Sequence, residues 1–534
     1  MTCLIKIYSK GNTIPCLVAF FYLVFLLPGC TKDFEDYNKN PNLLSDQQSL
    51  SLAATAIGPL ETNIFAGYQT AQNLSADAFC GYMMSPTNFL GGNSNLNYYM
   101  TDVYNSAGFG NQYNFIMAPV KKLADAGART TLPDIWAVAL LIQVHAMDRV
   151  TDRFGPIPYT RAGTSLSNIP YDDQATIYDA FFKQIDTAVI NLKAYIANPV
   201  RGVKPIGTAD LIYSGDYTKW LKFANTLRLR LAMRIVKIDP VKAKQQGEIA
   251  LSDSGGLLTD NADNAFMAQS AGQNNIFWLI TFLYNFDNMM NATMGSYLSG
   301  YKDPRAPVMF IPAKNAAVAG KYVGIRIGID VTAADYRDLS PYNYTTVFTQ
   351  FSPQQVMVAA ETWFLKAEAG LRDWTGAGDP KQNYESGIQA SMSQWGVSIG
   401  NYLNDATSTQ ANYTDPHVAG NSVTAVSDVT IKWDDTNSKE RKLERIITQK
   451  WLALFPDGQE AWADFRRTGY PKLFPVVQNL SNGTINSLLG PRRLPYPLSE
   501  GTANPAGLKG GIGLLNGPDN GGTRLWWDAN KPNF

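Results

Sequence analysis

Two stretches of this chain carry apolar residues at helical spacing over lengths that only a packed helix can use. In residues 218–238, Trp220, Phe223, Leu227, Leu231 and Ile235 recur every three or four positions, while Lys219, Lys222 and Arg230 lie off that stripe. One face of such a helix is buried and the other is polar. Residues 133–150 (PDIWAVALLIQVHAMDRV) are apolar nearly all round, which predicts a helix enclosed by other elements. They open on Pro133, tolerated in a first helical turn because its missing N–H would have no intrahelical partner there. Further helices are predicted over 174–196, 355–372, 381–395 and 439–455.

In 355–372 and 381–395, alanines alternate with large rings: Ala360, Trp363 and Ala367, then Tyr384, Ala390 and Trp395. The two segments read as a helix hairpin packing small against large, similar to tetratricopeptide units. No regular 34-residue period runs along the chain, so any repeats are degenerate and interrupted. Between the helices lie stretches rich in Gly, Asn and Pro, notably 81–97, 255–275 and 396–430. Long connections of this kind usually carry function or wrap a scaffold. The expected fold is mainly α, a tetratricopeptide-like helical scaffold with long irregular loops and minor β content.

The first 29 residues read as a targeting leader. Lys6 and Lys10 are its only charges, followed by IPCLVAFFYLVFLLP from Ile14 to Pro28. That run suits a signal-peptide core and is shorter than the roughly 20 residues a membrane span needs. It ends in Leu27-Pro28-Gly29-Cys30, similar to a bacterial lipobox, with Pro28 a less usual residue for its position. Cleavage before Cys30 would free a thiol for diacylglycerol, and each buried CH₂ of an acyl chain adds ~0.8 kcal/mol of membrane affinity. The charged segment closed by Pro41 reads as a flexible tether. Its Lys32-Asp33 start with Glu35 and Asp36 resembles an acidic signal for the outer face of the outer membrane; the alternative is a merely solvated linker. The expected division is a leader over 1–29, a lipidated tether over 30–45 and one domain over 46–534.

Charge and cysteine content exclude several classes. The chain is formally neutral, and losing the two leader lysines makes it slightly negative, so no basic surface supports nucleic-acid binding. Past the leader only Cys30 and Cys80 remain. With Cys30 destined for lipid, no intramolecular disulfide can form, and stability must come from the core. Two histidines, His145 and His417, argue against a His-rich metal centre; neither a metal nor a cofactor is expected. GxSxG and HExxH signatures are absent, so no nucleophile or zinc chemistry is indicated.

Several motifs together resemble a known family, and they run from the lipobox to the C-terminus. They are DFEDYNKNPN (Asp33 to Asn42), DRFGPIPY (Asp152 to Tyr159), DLIYSGDYTKWLKFANTLRLRLAMRI (Asp210 to Ile235) and AETWFLKAEA (Ala360 to Ala369). YESGIQASMSQWG (Tyr384 to Gly396), ITQKWLALFPDGQEAWADFRRTGYP (Ile447 to Pro471) and PRRLPYPLSE (Pro491 to Glu500) complete the set. In this order they resemble the SusD/RagB outer-membrane lipoproteins, in particular the SusD-like subgroup. The resemblance implies a helical scaffold with a loop-rich ligand face, seated over a SusC-like, TonB-dependent transporter. It implies capture of oligosaccharides, or of peptides in some members, and no catalytic machinery. Arg466, Arg467, Arg492 and Arg493 read as scaffold, their guanidinium groups bound to carboxylates or loop carbonyls.

Sugars present C–H faces that suit aromatic rings and hydroxyl edges that suit Asn, Asp, Gln and Arg. Two windows combine both kinds of group. In Tyr82–Tyr99 the candidate contacts are Tyr82, Phe89, Asn93, Tyr98 and Tyr99, with Asn95 and Asn97 between them; in Asn274–Arg305 they are Trp278, Tyr284, Asn288 and Arg305, beside Tyr297 and Tyr301. The alternative is that rings such as Trp278, Phe282 and Tyr284 line a buried helix. A surface glycoside hydrolase, which needs two carboxylates across the scissile bond, and a purely structural surface protein are the rival functions.

Overall fold

In the computed structural model, residues 44–165, 167–269, 272–331 and 336–534 are described; the expected leader, Cys30 and nearly all of the tether lie outside them. The principal helices are α1 (Pro133–Phe154), α2 (Gln174–Ala197), α3 (Tyr217–Arg234), α4 (Pro240–Ser252), α5 (Ile276–Leu283), α6 (Ala292–Gly300), α7 (Ala359–Leu371), α8 (Pro380–Gln394), α9 (Lys439–Leu454) and α10 (Gly458–Thr468). Their starts are set by capping. Asp173, Asp216, Asp239, Asp379 and Ser438 each accept a backbone N–H from the first turn that follows, satisfying donors that have no intrahelical partner.

Four successive pairs, α1/α2, α3/α4, α7/α8 and α9/α10, pack within themselves, and α2 on α3, α3 on α7 and α7 on α9 join them into one array. This is the tetratricopeptide-like scaffold the hairpin pattern predicts. Every residue of α1 after Pro133 is buried, as its all-round apolarity requires. Gly387 of α8 lies against the Phe364 ring of α7, where an added Cβ would come within 2.8 Å of ring carbons. The close approach of that hairpin therefore depends on a missing side chain.

Strands are few and short: β1 (Met83–Met84), β2 (Ala265–Met267), β3 (Met289–Met290) and β4 (Gln354–Met357). Two expected helix boundaries change. Residues 354–357 pair with β2 as a strand, and α7 starts only at Ala359, whose N–H donates to Asn264 Oδ1 at 2.7 Å. α3 stops at Arg234, short of the expected end at 238, and Asp239, held out of the helical region by Pro240, starts α4.

The array is pinned at its centre by buried charges. Arg230 on α3 makes a two-point contact with Glu361 on α7 at 2.5 and 2.7 Å. Arg467 on α10 does the same to Glu368 on α7 at 2.6 and 2.7 Å, and Lys450 on α9 pairs with Asp464 on α10 at 2.7 Å. Arg466 donates to the carbonyls of Asp152 and Arg492, Arg492 to the Asp528 carboxylate and Arg493 to the Phe154 carbonyl. All four arginines are scaffold, as expected. Among the described residues, no helix is long and apolar enough to cross a membrane.

Candidate functional site

β1 and β3 pair antiparallel, Met83 opposite Met290 and Met84 opposite Met289. That short ladder carries the loop leaving β1 and the loop entering β3 to the same place, so the two sequence windows meet. Asp287 stands at the junction, 2% exposed. It accepts from Ser85 Oγ at 2.6 Å, Thr87 Oγ1 at 2.7 Å and Gln69 Nε2 at 2.9 Å. Burial raises its pKa above the usual carboxylate value, against the pull of those donors and of the Arg337 charge. Arg337 also donates to Thr87 Oγ1 and to the Asn285 carbonyl. Asn285 and Phe286 have φ of 53° and 67°, an unfavourable conformation for side chains of that size. The polar contacts on either side hold the turn in it.

Aromatic rings flank this polar knot. Helix α5, IFWLITFL, starts from Asn275, whose Oδ1 accepts the Phe277 N–H at 2.9 Å. Its sequence is apolar all round, yet only Phe277, Ile280 and Thr281 are buried. Phe282 is 52% and Tyr284 42% exposed, and Trp278 is half-buried. Trp278 and Phe282 lie 5.0 Å apart, Phe282 and Tyr344 5.4 Å, and Tyr344 and Phe286 5.7 Å, turned 43°, 83° and 67° to one another. On the β1 side Phe89 meets Tyr104 edge to face at 5.8 Å. Exposed apolar surface on so short a helix is costly to leave in water. Such rings suit the C–H faces of a ligand, and the buried Asp287 knot fixes the turn that carries them.

The predicted contacts divide by depth. Phe89 is half-buried, and Asn93 and Tyr99 are exposed on the β1 side; Trp278 and Tyr284 are on the α5 side. For the other four, direct contact gives way to a supporting role, because the core already occupies their surfaces. The Tyr82 hydroxyl donates to the Trp451 carbonyl, and Tyr98 packs on Phe79. Asn288 Nδ2 donates to the Phe277 carbonyl at 3.1 Å, tying the turn to α5. Arg305 is fully buried, paired with Asp303 at 2.6 and 2.9 Å and donating to Ser391 Oγ at 2.8 Å. Asn95 and Asn97 are likewise buried and bonded to Asn105 and to the Gly328 carbonyl. Sequence reading missed Tyr104, Phe286, Asp287, Arg337 and Tyr344. Phe286 and Asp287 sit in the alternating Asn-Phe-Asp-Asn run at 285–288, a signal that was available. Tyr344 and Arg337 arrive from a separate loop with no local pattern to announce them. Among the described residues, no group of His, Cys, Asp and Glu could hold a metal ion.

These elements define a helical-repeat scaffold whose inserted loops build an aromatic, hydrogen-bonding face. Residues 36–528 match the family model described as SusD-like, SusD and RagB outer membrane lipoprotein, and the chain belongs to that family. Among solved structures it is similar to a chitin-binding SusD homolog from Flavobacterium johnsoniae, at 38% identity over 90% of this chain and 100% of that one, with a TM-score of 0.85. A SusD homolog from Bacteroides vulgatus matches at 34% identity over 90% and 98% of the two chains, TM-score 0.85. A SusD-like protein from Bacteroides thetaiotaomicron does so at 34% over 90% and 99%, TM-score 0.82. No curated protein matches the chain.

Proposed function

We propose that this protein is a cell-surface capture protein, held to the outer membrane by lipid on Cys30, that binds oligosaccharides on the α5 face and passes them to a SusC-like, TonB-dependent transporter. The observation that carries this reading is the aromatic run from Trp278 through Phe282 and Tyr344 to Phe286 beside the Asp287 knot, exposed at Phe282 and half-buried at the other three. The family match supports the membrane attachment and the transporter partnership. The likeness to a chitin-binding homolog supports a glycan as ligand. The Asp287 carboxylate is bound by three side-chain donors, an arrangement that positions hydroxyl groups rather than shuttling protons, so the reading is non-catalytic.

Two rings each burying roughly 100 Å² against sugar contribute about 5 kcal/mol before entropic costs, which corresponds to millimolar or high-micromolar affinity. Such weak binding suits hand-off. Calorimetry with chitin-, starch- and plant-derived oligosaccharides, and with peptides, tests the reading. Reversible heat with a glycan and no cleaved product is the expected result. Released product would point to a hydrolase, heat with peptides alone to a peptide-binding member, and no heat with any of them to a structural role.

A further inference from the structure

His417 stands outside the α5 face but is joined to it through one short turn. It lies in a loop closed by an antiparallel bridge between Tyr413 and Val423. Asp415 Oδ1 accepts the N–H groups of His417 and Val418, each at 2.9 Å, a local turn that fixes where the imidazole starts. The ring is 19% exposed, and its Nε2 meets Asp338 Oδ1 at 2.9 Å. Asp338 ends the three-residue turn Tyr336–Asp338. At the other end Tyr336 lies edge-on to His417 at 4.7 Å, and its hydroxyl donates to Asp415 at 3.2 Å. Between them is Arg337, which donates to Thr87 Oγ1 at 3.2 Å and to the Asn285 carbonyl at 3.4 Å. One loop thus grips both ends of the turn whose middle residue braces the α5 face. Side chains in so tight a turn point in three directions, which lets Arg337 face Asn285 while its neighbours face the loop.

An imidazole changes charge between about pH 5 and about pH 8, and a charged donor to a carboxylate is roughly twice as strong as a neutral one. We propose that His417 is a positioning residue that couples the α5 face to pH: its imidazolium grips Asp338 and keeps Arg337 on the Asn285–Phe286 turn, and loss of that proton loosens the turn. The hold is full on the acid side and weakens as pH rises. The other charged groups packed around this loop and turn are Asp415, Arg326 and Lys314. Arg326 donates to the Asn421 carbonyl at 3.0 Å, and the exposed Lys314 gives its N–H to the Asp338 carbonyl at 2.7 Å. Asn315 Nδ2 holds the second Asp338 oxygen at 2.8 Å. Asp287 works in the opposite sense. Burial raises its pKa, and a proton taken up there weakens its attraction for Arg337 as pH falls. His145 adds nothing, because burial, and then the charges of Arg230 and Arg149, lower its pKa well below the usual value.

Hydrogen exchange read by mass spectrometry on the full chain, without ligand, tests the coupling. The Phe286 N–H donates to the Thr281 carbonyl at 3.0 Å and reports opening of the turn. Corrected for intrinsic rate, its protection should fall about 2- to 5-fold from about pH 5.5 to about pH 8, the effect of one partly exposed ion pair. In His417→Gln, which cannot carry charge, that fall should vanish or reverse; in His417→Lys, which stays charged, protection should remain at the acid-side level. Asp77, Asp148 and Asp152, raised by burial to about 7, about 7 and about 6, titrate in the same range, and comparison with these variants cancels them. Asp338→Asn, on a different element, should also abolish the fall and keeps the test valid if a His417 variant folds poorly. Wild-type protection that does not fall, or the same fall in His417→Gln or in Asp338→Asn, would overturn the coupling. The exchange does not depend on whether the α5 face binds glycan. The effect on affinity rests on that reading, and calorimetry over the same pH range should show a parallel weakening.

Discussion

Single residues decide how well the face is held and where the core is under strain. Phe282 and Tyr284 are the most exposed rings on the α5 side. Replacing both with alanine should weaken glycan binding at least about tenfold, since one ring alone contributes about 2.5 kcal/mol gross. Their outward faces make few core contacts, so the melting temperature should stay within a few degrees; calorimetry and thermal melts on the same samples separate the two effects. Glu61 illustrates the opposite case. Burial first, and then the charge of Asp210, raises its pKa to about 11, while one of its oxygens accepts the Leu211 N–H at 2.7 Å. The folded pKa lies above that of the unfolded chain, so the contribution to stability is full below about pH 4 and is lost as pH rises toward 11. Glu61→Gln removes this titration. Between about pH 6 and about pH 9 the wild type should lose stability relative to the variant by about 1 kcal/mol per pH unit, read from urea unfolding. Parallel pH slopes for the two proteins would show that Glu61 does not titrate this way.

At the scale of elements, α1, α2, α3, α7, α8 and α9 were legible, whereas α4 and α10, which complete two of the pairs, and the strands were not. A period of 3.6 is written into each helix by its own residues, and caps such as Asp216 and Ser438 mark the starts. β1 and β3 are two residues each and lie about 200 positions apart, so only long-range packing creates them. Those strands nevertheless assemble the face, because they set the loop after Met84 beside the turn before Met289. Buried ion pairs set how α3, α7, α9 and α10 sit against one another. Glu361→Ala would leave the buried Arg230 guanidinium with only the longer 3.7 Å contact to Glu460, and breaking one partner of a buried pair costs about 3–5 kcal/mol. Chemical denaturation should show a loss of that size, whereas Glu361→Gln, which keeps an acceptor for Arg230, should lose less.

For the whole molecule, the proposal joins a rigid helical body to a lipid anchor at its N-terminus. Cys30→Ala should move the protein from the membrane to the soluble fraction, and retention at the wild-type level would reject lipid anchoring. Gentle detergent extraction should bring down a large outer-membrane barrel with the wild type; repeated recovery alone would count against the transporter pairing. The chain's own residues determined its class: helical stripes at 133–150 and 218–238, the small-against-large hairpin at Ala360 to Trp395, and the ordered motifs through Pro491 to Glu500. These signals are local, each carried by neighbours in sequence. Tertiary structure alone decided which rings face solvent. The window from Asn274 to Arg305 contains Trp278 on the surface and Arg305 deep in the core, and nothing in their spacing tells them apart. Exposure depends on what packs over a residue, and here the covering elements come from the β1 loop, from Tyr344 and from the distant helices α8 and α9.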